Sequence, residues 1–170
     1  MYYLVIRQFS HTLKNLDAVL SKAEAYAAER KFDVNNLFNA RLAPDMLPFV
    51  SQIRIACDGA KAAGASLAGK EAPRHEDDEK TFEELHARIG KCLAFLDTLS
   101  EADFAQTRPD TVVKLPGRAA VRQLRANDFL LMRQIPNFFF HVTTAYALLR
   151  QAGVPIGKSD YLGAIPYIES

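Results

Sequence analysis

Residues 136–150 (PNFFFHVTTAYALLR) read as a helix that is apolar on nearly every side. Such a helix must be surrounded by other elements, which places it inside a helical bundle rather than on a surface. It carries one narrow polar file. Asn137, His141 and Thr144 recur at i, i+4 and i+7, within about 60° of one another around the axis. Arg133 and Gln134 extend the file backward. A buried polar group needs a partner, because each one left unsatisfied costs about 1–3 kcal/mol. The file is therefore where a site is expected.

The rest of the chain supplies the neighbours. Tyr2, Val5, Ile6, Phe9, Leu13, Leu16, Leu20, Ala23 and Ala27 follow helical spacing and predict a first helix running to about Arg30. Asp33 is placed to cap a short turn over residues 34–37. A second helix is expected to open at Pro44-Asp45, where proline loses only an orphan donor and aspartate complements the helix dipole. Its apolar face is Met46, Phe49, Val50, Ile53, Ala56, Cys57, Ala60, Ala63 and Leu67, and Gly69 stops it. Gly59 and Gly64 leave room for a neighbouring helix to come close.

A capping box, Thr81 to Glu84, opens a third helix whose stripe is Phe82, Leu85, Ile89, Leu93, Leu96 and Leu99. One further turn begins at Ser100. Residues 111–115, the Pro116-Gly117 pair and residues 120–124 read as a short β-hairpin. A fourth helix is expected from Asn127, as cap, to about Ala152, with a kink at Pro136 and a stop at Gly153 and Pro155. The apolar tail, residues 156–170, is expected to pack back on the bundle. The fold class that follows is all-α, an up-down four-helix bundle with a short β-hairpin between the third and fourth helices, as a single domain over residues 1–170.

Composition narrows the partners. A formal net charge of +1 with no basic run gives no reason to expect nucleic acid. Residues 70–80 mix both charge signs and read as a solvated loop. The longest apolar run, residues 138–149, is interrupted by His141 and two threonines and is too short for a bilayer of about 30 Å, so no membrane partner is expected. The first residues, with Arg7 and His11, are too interrupted for a secretory segment. Cys57 and Cys92 fall on apolar helix faces, as small hydrophobes rather than nucleophiles, and point to a reduced, cytoplasmic protein, with a disulfide between them as the alternative that only geometry decides. Residues 153–159 mimic a phosphate loop, but the spacing is short and the segment follows a helix, so they read as a helix-terminating turn.

Residues 40–46 (ARLAPDM), 56–61 (ACDGAK), 81–85 (TFEEL), 136–150 and 157–163 (GKSDYLG) together resemble a bacterial domain-of-unknown-function family of the DinB/YfiT-like superfamily, over essentially the full chain. The resemblance implies a DinB-like bundle, usually dimeric. Its cousins bind a divalent metal with three histidines and include hydrolases and thiol-dependent transferases. The metal-binding members carry His-x-x-x-His on the last helix and a third histidine on the second. Here Ala145 stands four residues after His141, and residues 44–68 hold no histidine; His11, His75 and His86 lie elsewhere.

No complete tri-histidine site and no cofactor are therefore expected, since a transition-metal site needs three or four placed ligands. If a divalent metal binds, His141 with carboxylates of the second helix holds it. The candidate ligand-binding residues are His141, Asn137 and Thr144, with Asp45, Gln52, Asp58 and Lys61 on the second helix. Taken alone, Ser51, Arg54, Asp58 and Lys61 form a solvent face with an i,i+3 ion pair, and only the resemblance promotes Asp58 and Lys61. His141 is expected to be mostly buried and bonded to a side chain of the second helix.

The expected protein is a cytoplasmic bundle whose small polar pocket around His141 takes an unknown small molecule. The alternative is a divalent-metal-dependent DinB-like enzyme, hydrolase or thiol-dependent transferase, with an atypical site. A homodimer is expected, because three neighbours cannot enclose an all-round apolar helix and Tyr2, Tyr3 and Val5 crowd one terminus.

Overall fold

Helical spacing becomes helices largely where the pattern places them. The structure, a computed structural model, describes residues 1–115 and 121–168. Four long helices, α1 (Tyr2–Arg30), α2 (Phe49–Ala68), α3 (Phe82–Asp97) and α5 (Ile135–Gln151), pack as a bundle, with a three-residue α4 (Ala126–Asp128) and a short α6 (Lys158–Leu162). α2 lies between α3 and α5, and α1 packs against α2, α3 and α5. One contiguous core runs from Tyr2 to Ile156, with Phe9 and Phe138 rings 4.3 Å apart and Phe49 stacked on Phe82. No described helix is long and apolar enough to cross a membrane.

The capping signals act as expected. The Asp33 carboxylate accepts from the Asn35 amide, and Thr81 and Glu84 satisfy each other's turn at the start of α3. Gly69 closes α2 in the left-handed conformation, φ 63°. Gly64 marks a close approach of α2 to the end of α3 and the residues after it: a Cβ there would meet Leu99 Cδ1 at 2.7 Å and Leu96 Cδ2 at 3.1 Å. Gly64→Val is accordingly expected to cost about 1–3 kcal/mol by overpacking, read by urea denaturation.

Three boundaries differ. α2 begins at Phe49, not Pro44, and residues 43–46 form a turn. Pro48 is the reason: inside a helix begun at Pro44, its ring would clash with the carbonyl four residues earlier and it could not donate. Pro48 instead serves as the extended N-cap. The last helical run starts directly after the hairpin at Ala126, with Arg125 as its cap, and the Asn127 side chain accepts from the Tyr2 hydroxyl at 2.7 Å. The bend expected at Pro136 takes the form of wide π turns over Phe129–Gln134, with the Ile135 amide reaching back to the Leu130 carbonyl. Proline at 136 cannot supply the next backbone donor, and the wide turns shift the bonding pattern just before it.

The hairpin pairs β1 (Val112–Leu115) with β2 (Arg122–Arg125), antiparallel, Val112 opposite Arg125. The expected turn at Pro116-Gly117 and the start of the second strand at Ala120 lie outside the described residues. The tail divides. α6 docks on α1 through the Leu162 carbonyl, held by His11 and Asn15 at 2.8 Å each, whereas Ile165, Tyr167 and Ile168 stay exposed. At the N-terminus Tyr2 is buried and Tyr3 and Val5 are half-buried within the chain, and Met1 and Leu4 are the exposed apolar side chains instead.

Candidate functional site

The polar file of the last helix meets α2 at one well-defined contact. His141 is 8 % exposed, and its Nδ1 lies 2.7 Å from Gln52 Oε1 on α2. Gln52 is itself buried and its Nε2 donates to the Leu47 carbonyl at 2.8 Å. That second bond fixes the amide: its oxygen faces the ring, so Nδ1 must carry the hydrogen. Nε2 is then the bare nitrogen of a neutral imidazole, and among the described residues nothing hydrogen-bonds to it. Burial holds the ring's pKa below the ordinary histidine value, because charging it would cost solvation. Such a nitrogen accepts a hydrogen bond or takes a proton.

The other residues of the file pack around this pair. Both amides lie over Gly59 of α2: a Cβ there would sit 3.5 Å from Asn137 Nδ2 and 3.9 Å from Gln134 Oε1, ordinary contact distances. Thr144 is buried and donates back to the Phe140 carbonyl at 2.7 Å, satisfied within its own helix. The Phe140 ring stands edge-on to His141, 5.2 Å between centroids. Beside them runs an apolar groove of about 430 Å³ along Leu42, Phe139, Phe140, Thr143, Thr144 and Ala147.

Asp45, Asp58 and Lys61 do not reach the ring. Asp45 is exposed in the turn before α2, displaced from the helix by Pro48. Asp58 and Lys61 face α3, with Lys61 Nζ 3.1 Å from Asp58 Oδ1 and Asp58 Oδ2 2.9 Å from Arg88 Nη2. Arg88 organises that side. Its side chain is 1 % exposed and contacts Asp77 and Glu79, both at 2.8 Å, together with the Glu76 carbonyl at 3.0 Å. Glu79 also accepts from Arg54 at 2.6 Å. The charged segment 70–80 is therefore not a free solvated loop; its middle is drawn onto α2 and α3. The face read as solvent, around Arg54 and Asp58, is what it covers.

A groove of about 820 Å³ beside this cluster is lined by His75, Glu79, Arg88, Lys91 and Phe95, among others. Arg88 gave one signal in the sequence: it lies three residues after Leu85 and four before Cys92, within the buried stripe. Cys57 and Cys92 are free and fully buried, with the Cys92 thiol 3.3 Å from the Cys57 carbonyl.

The histidines are dispersed. His11 bonds the Leu162 carbonyl, His86 bridges Asp17 and Glu24, and His75 lies beside Arg88 in the second groove. Among the described residues no group of three or more His, Cys, Asp or Glu side chains is placed to hold a metal. At His141 the neighbouring groups are neutral amides, and the Gln52 oxygen is already taken by Nδ1–H. That donor set does not fit a divalent transition metal.

The sequence profile of a family described as Domain of unknown function (DUF1993) matches residues 1–162. The chain belongs to this family. It is also similar to a solved structure, a DinB family member protein from Shewanella denitrificans, with 44% sequence identity over 99% of this chain and 95% of that chain and a TM-score of 0.93. The four-helix arrangement is thus a DinB-like fold. No curated protein matches the chain.

The lowered pKa of His141 has a sign that can be measured. Its folded pKa lies below its unfolded one, so its contribution is fully present above about pH 6.5 and is lost as pH falls toward the folded value. His75, lowered first by burial and then by Lys61 and Arg88, acts in the same direction. The stability of the native chain is expected to decline as pH falls below about 6.5, and His141→Phe should flatten part of that slope. Equal slopes in urea titrations of the two proteins would contradict it.

Proposed function

We propose that this DUF1993 chain is a cytoplasmic, homodimeric small-molecule-binding bundle whose ligand engages His141. The observation that carries the reading is the Nδ1–H bond to Gln52, which presents a neutral Nε2 with no protein partner among the described residues. Two further features support it. Asn137 and Gln134 extend the polar seam over Gly59, and the groove along Phe140 and Thr144 offers an apolar wall on the same helix. A ligand with a hydrogen-bond donor and an apolar body suits both. Exposed Met132 and Phe140 on the last helical run leave an apolar outer face for a second copy.

The test is a fragment library screened by ligand-observed NMR against the native chain and His141→Ala. Hits that vanish in the variant are expected; hits indifferent to it, or none, would end the reading. The metal-dependent alternative finds little support in the donors around His141. Protein purified without chelator is expected to carry far less than one equivalent of divalent metal by elemental analysis, and a stoichiometric metal lost in His141→Ala would favour the enzyme.

A further inference from the structure

Two apolar surfaces of the chain are open, and one begins where the other lies. The first is the groove of about 430 Å³ on α5, whose Phe140 ring is 56 % exposed. The second is the run after α6, where Ile165, Tyr167 and Ile168 are 43 %, 82 % and 97 % exposed, with exposed Pro166 among them. Single exposed apolar side chains are ordinary, but a contiguous run marks a contact surface. The root of the run touches the groove, with the Tyr161 hydroxyl 3.0 Å from Thr143 Oγ1.

The root is also clamped. Asn15 donates to the Tyr161 and Leu162 carbonyls, and Gly163, at φ 68°, has no room for a Cβ against Asn15. Residues 164–168 thus leave a fixed point beside the groove without entering it. They lie beyond the stretch matched by the family.

We propose that residues 164–168 of a second copy fill the groove, in a two-fold exchange that rests on the dimer reading above. A two-fold lets each copy give one segment and receive one, covering both exposed surfaces at once. A buried Tyr alone removes about 150–250 Å². With the two isoleucines, one segment exposes roughly 450 Å², and with the groove walls counted on both copies the exchange buries roughly 1,000 Å², the least a stable interface needs. Phe140 and Thr144 flank His141 in the sequence, so the partner's segment seated in the groove, rather than the open groove itself, is the apolar wall that a ligand at His141 meets.

Light scattering on three proteins tests this: the full chain, the chain ended after Gly163, and Tyr167→Asp/Ile168→Asp. The two substituted side chains are solvent-facing, so the double variant keeps its fold even if the truncation does not. The full chain is expected at twice the 18.9 kDa of one chain and both variants at the single-chain mass. A full chain at the single mass would overturn this proposal and the dimer together. A full chain and double variant that both stay dimeric would overturn the exchange and leave the dimer standing.

Discussion

Arg88→Ala is expected to lower the unfolding free energy by about 3–5 kcal/mol, the cost of breaking a buried charge cluster by removing one partner. Exposed ion pairs of the chain, such as Arg7 with Asp97, should each be worth about 0–1 kcal/mol by contrast. The difference is burial. The Arg88 side chain is 1 % exposed and that of Glu79 8 %, and without the guanidinium Glu79 keeps only Arg54. Segment 70–80 would also lose the contacts that draw Glu76, Asp77 and Glu79 onto the helices. At about 2–4 °C per kcal/mol for a chain of this size, the melting temperature should fall by roughly 6–20 °C.

Arg88→Lys keeps the charge but not the planar fork, so it should recover only part of the loss. The same cluster predicts acid sensitivity. Burial pushes the Glu79 carboxyl up, but hydrogen bonds from Arg88 and Arg54 outweigh it and hold the pKa below the ordinary value. A depressed carboxyl contributes its full stability above the unfolded value, about 4.3, and loses it as pH falls further. A urea-measured loss under about 1 kcal/mol for Arg88→Ala would mean that the segment is held no better than a surface loop.

Gln52→Leu should be the most damaging change at the seam between α2 and α5, at about 2–4 kcal/mol. It leaves both the His141 N–H and the Leu47 carbonyl without a partner, each costing about 1–3 kcal/mol less what the new side chain gains by burial. His141→Leu removes the ring and strands the Gln52 oxygen. The double variant loses both partners of the bond at once and should be more stable than the two single losses added together, by about 1 kcal/mol or more. Simple additivity in urea denaturation would mean that the two side chains do not share a bond.

The parts of this protein legible in its sequence are those set by local rules. Helical spacing gives the long helices, and Asp33, Thr81 with Glu84, and Gly69 fix turns through bonds to near neighbours. The contact between His141 and α2 was legible too, because a polar group on an apolar helix has to be satisfied. Pro48 was overlooked as a breaker because Pro44 four residues earlier already resembles a helix start. The role of segment 70–80 could not be read locally: its composition is that of a solvated loop, and only a buried cation on another helix organises it. Asp58 and Lys61 followed from the resemblance alone, and Arg88 takes them to the opposite side of α2 from the ring.

The state of the His141 ring tests the central claim most directly. Two-bond proton–nitrogen correlation spectra of histidine-labelled protein report which ring nitrogen carries hydrogen. At pH 7 the signal that disappears in His141→Leu is expected to show a protonated Nδ1 and a bare Nε2, and to stay neutral below about pH 6.5, where free histidine charges. A hydrogen on Nε2 with Nδ1 bare, or a charged ring at pH 7, would contradict it.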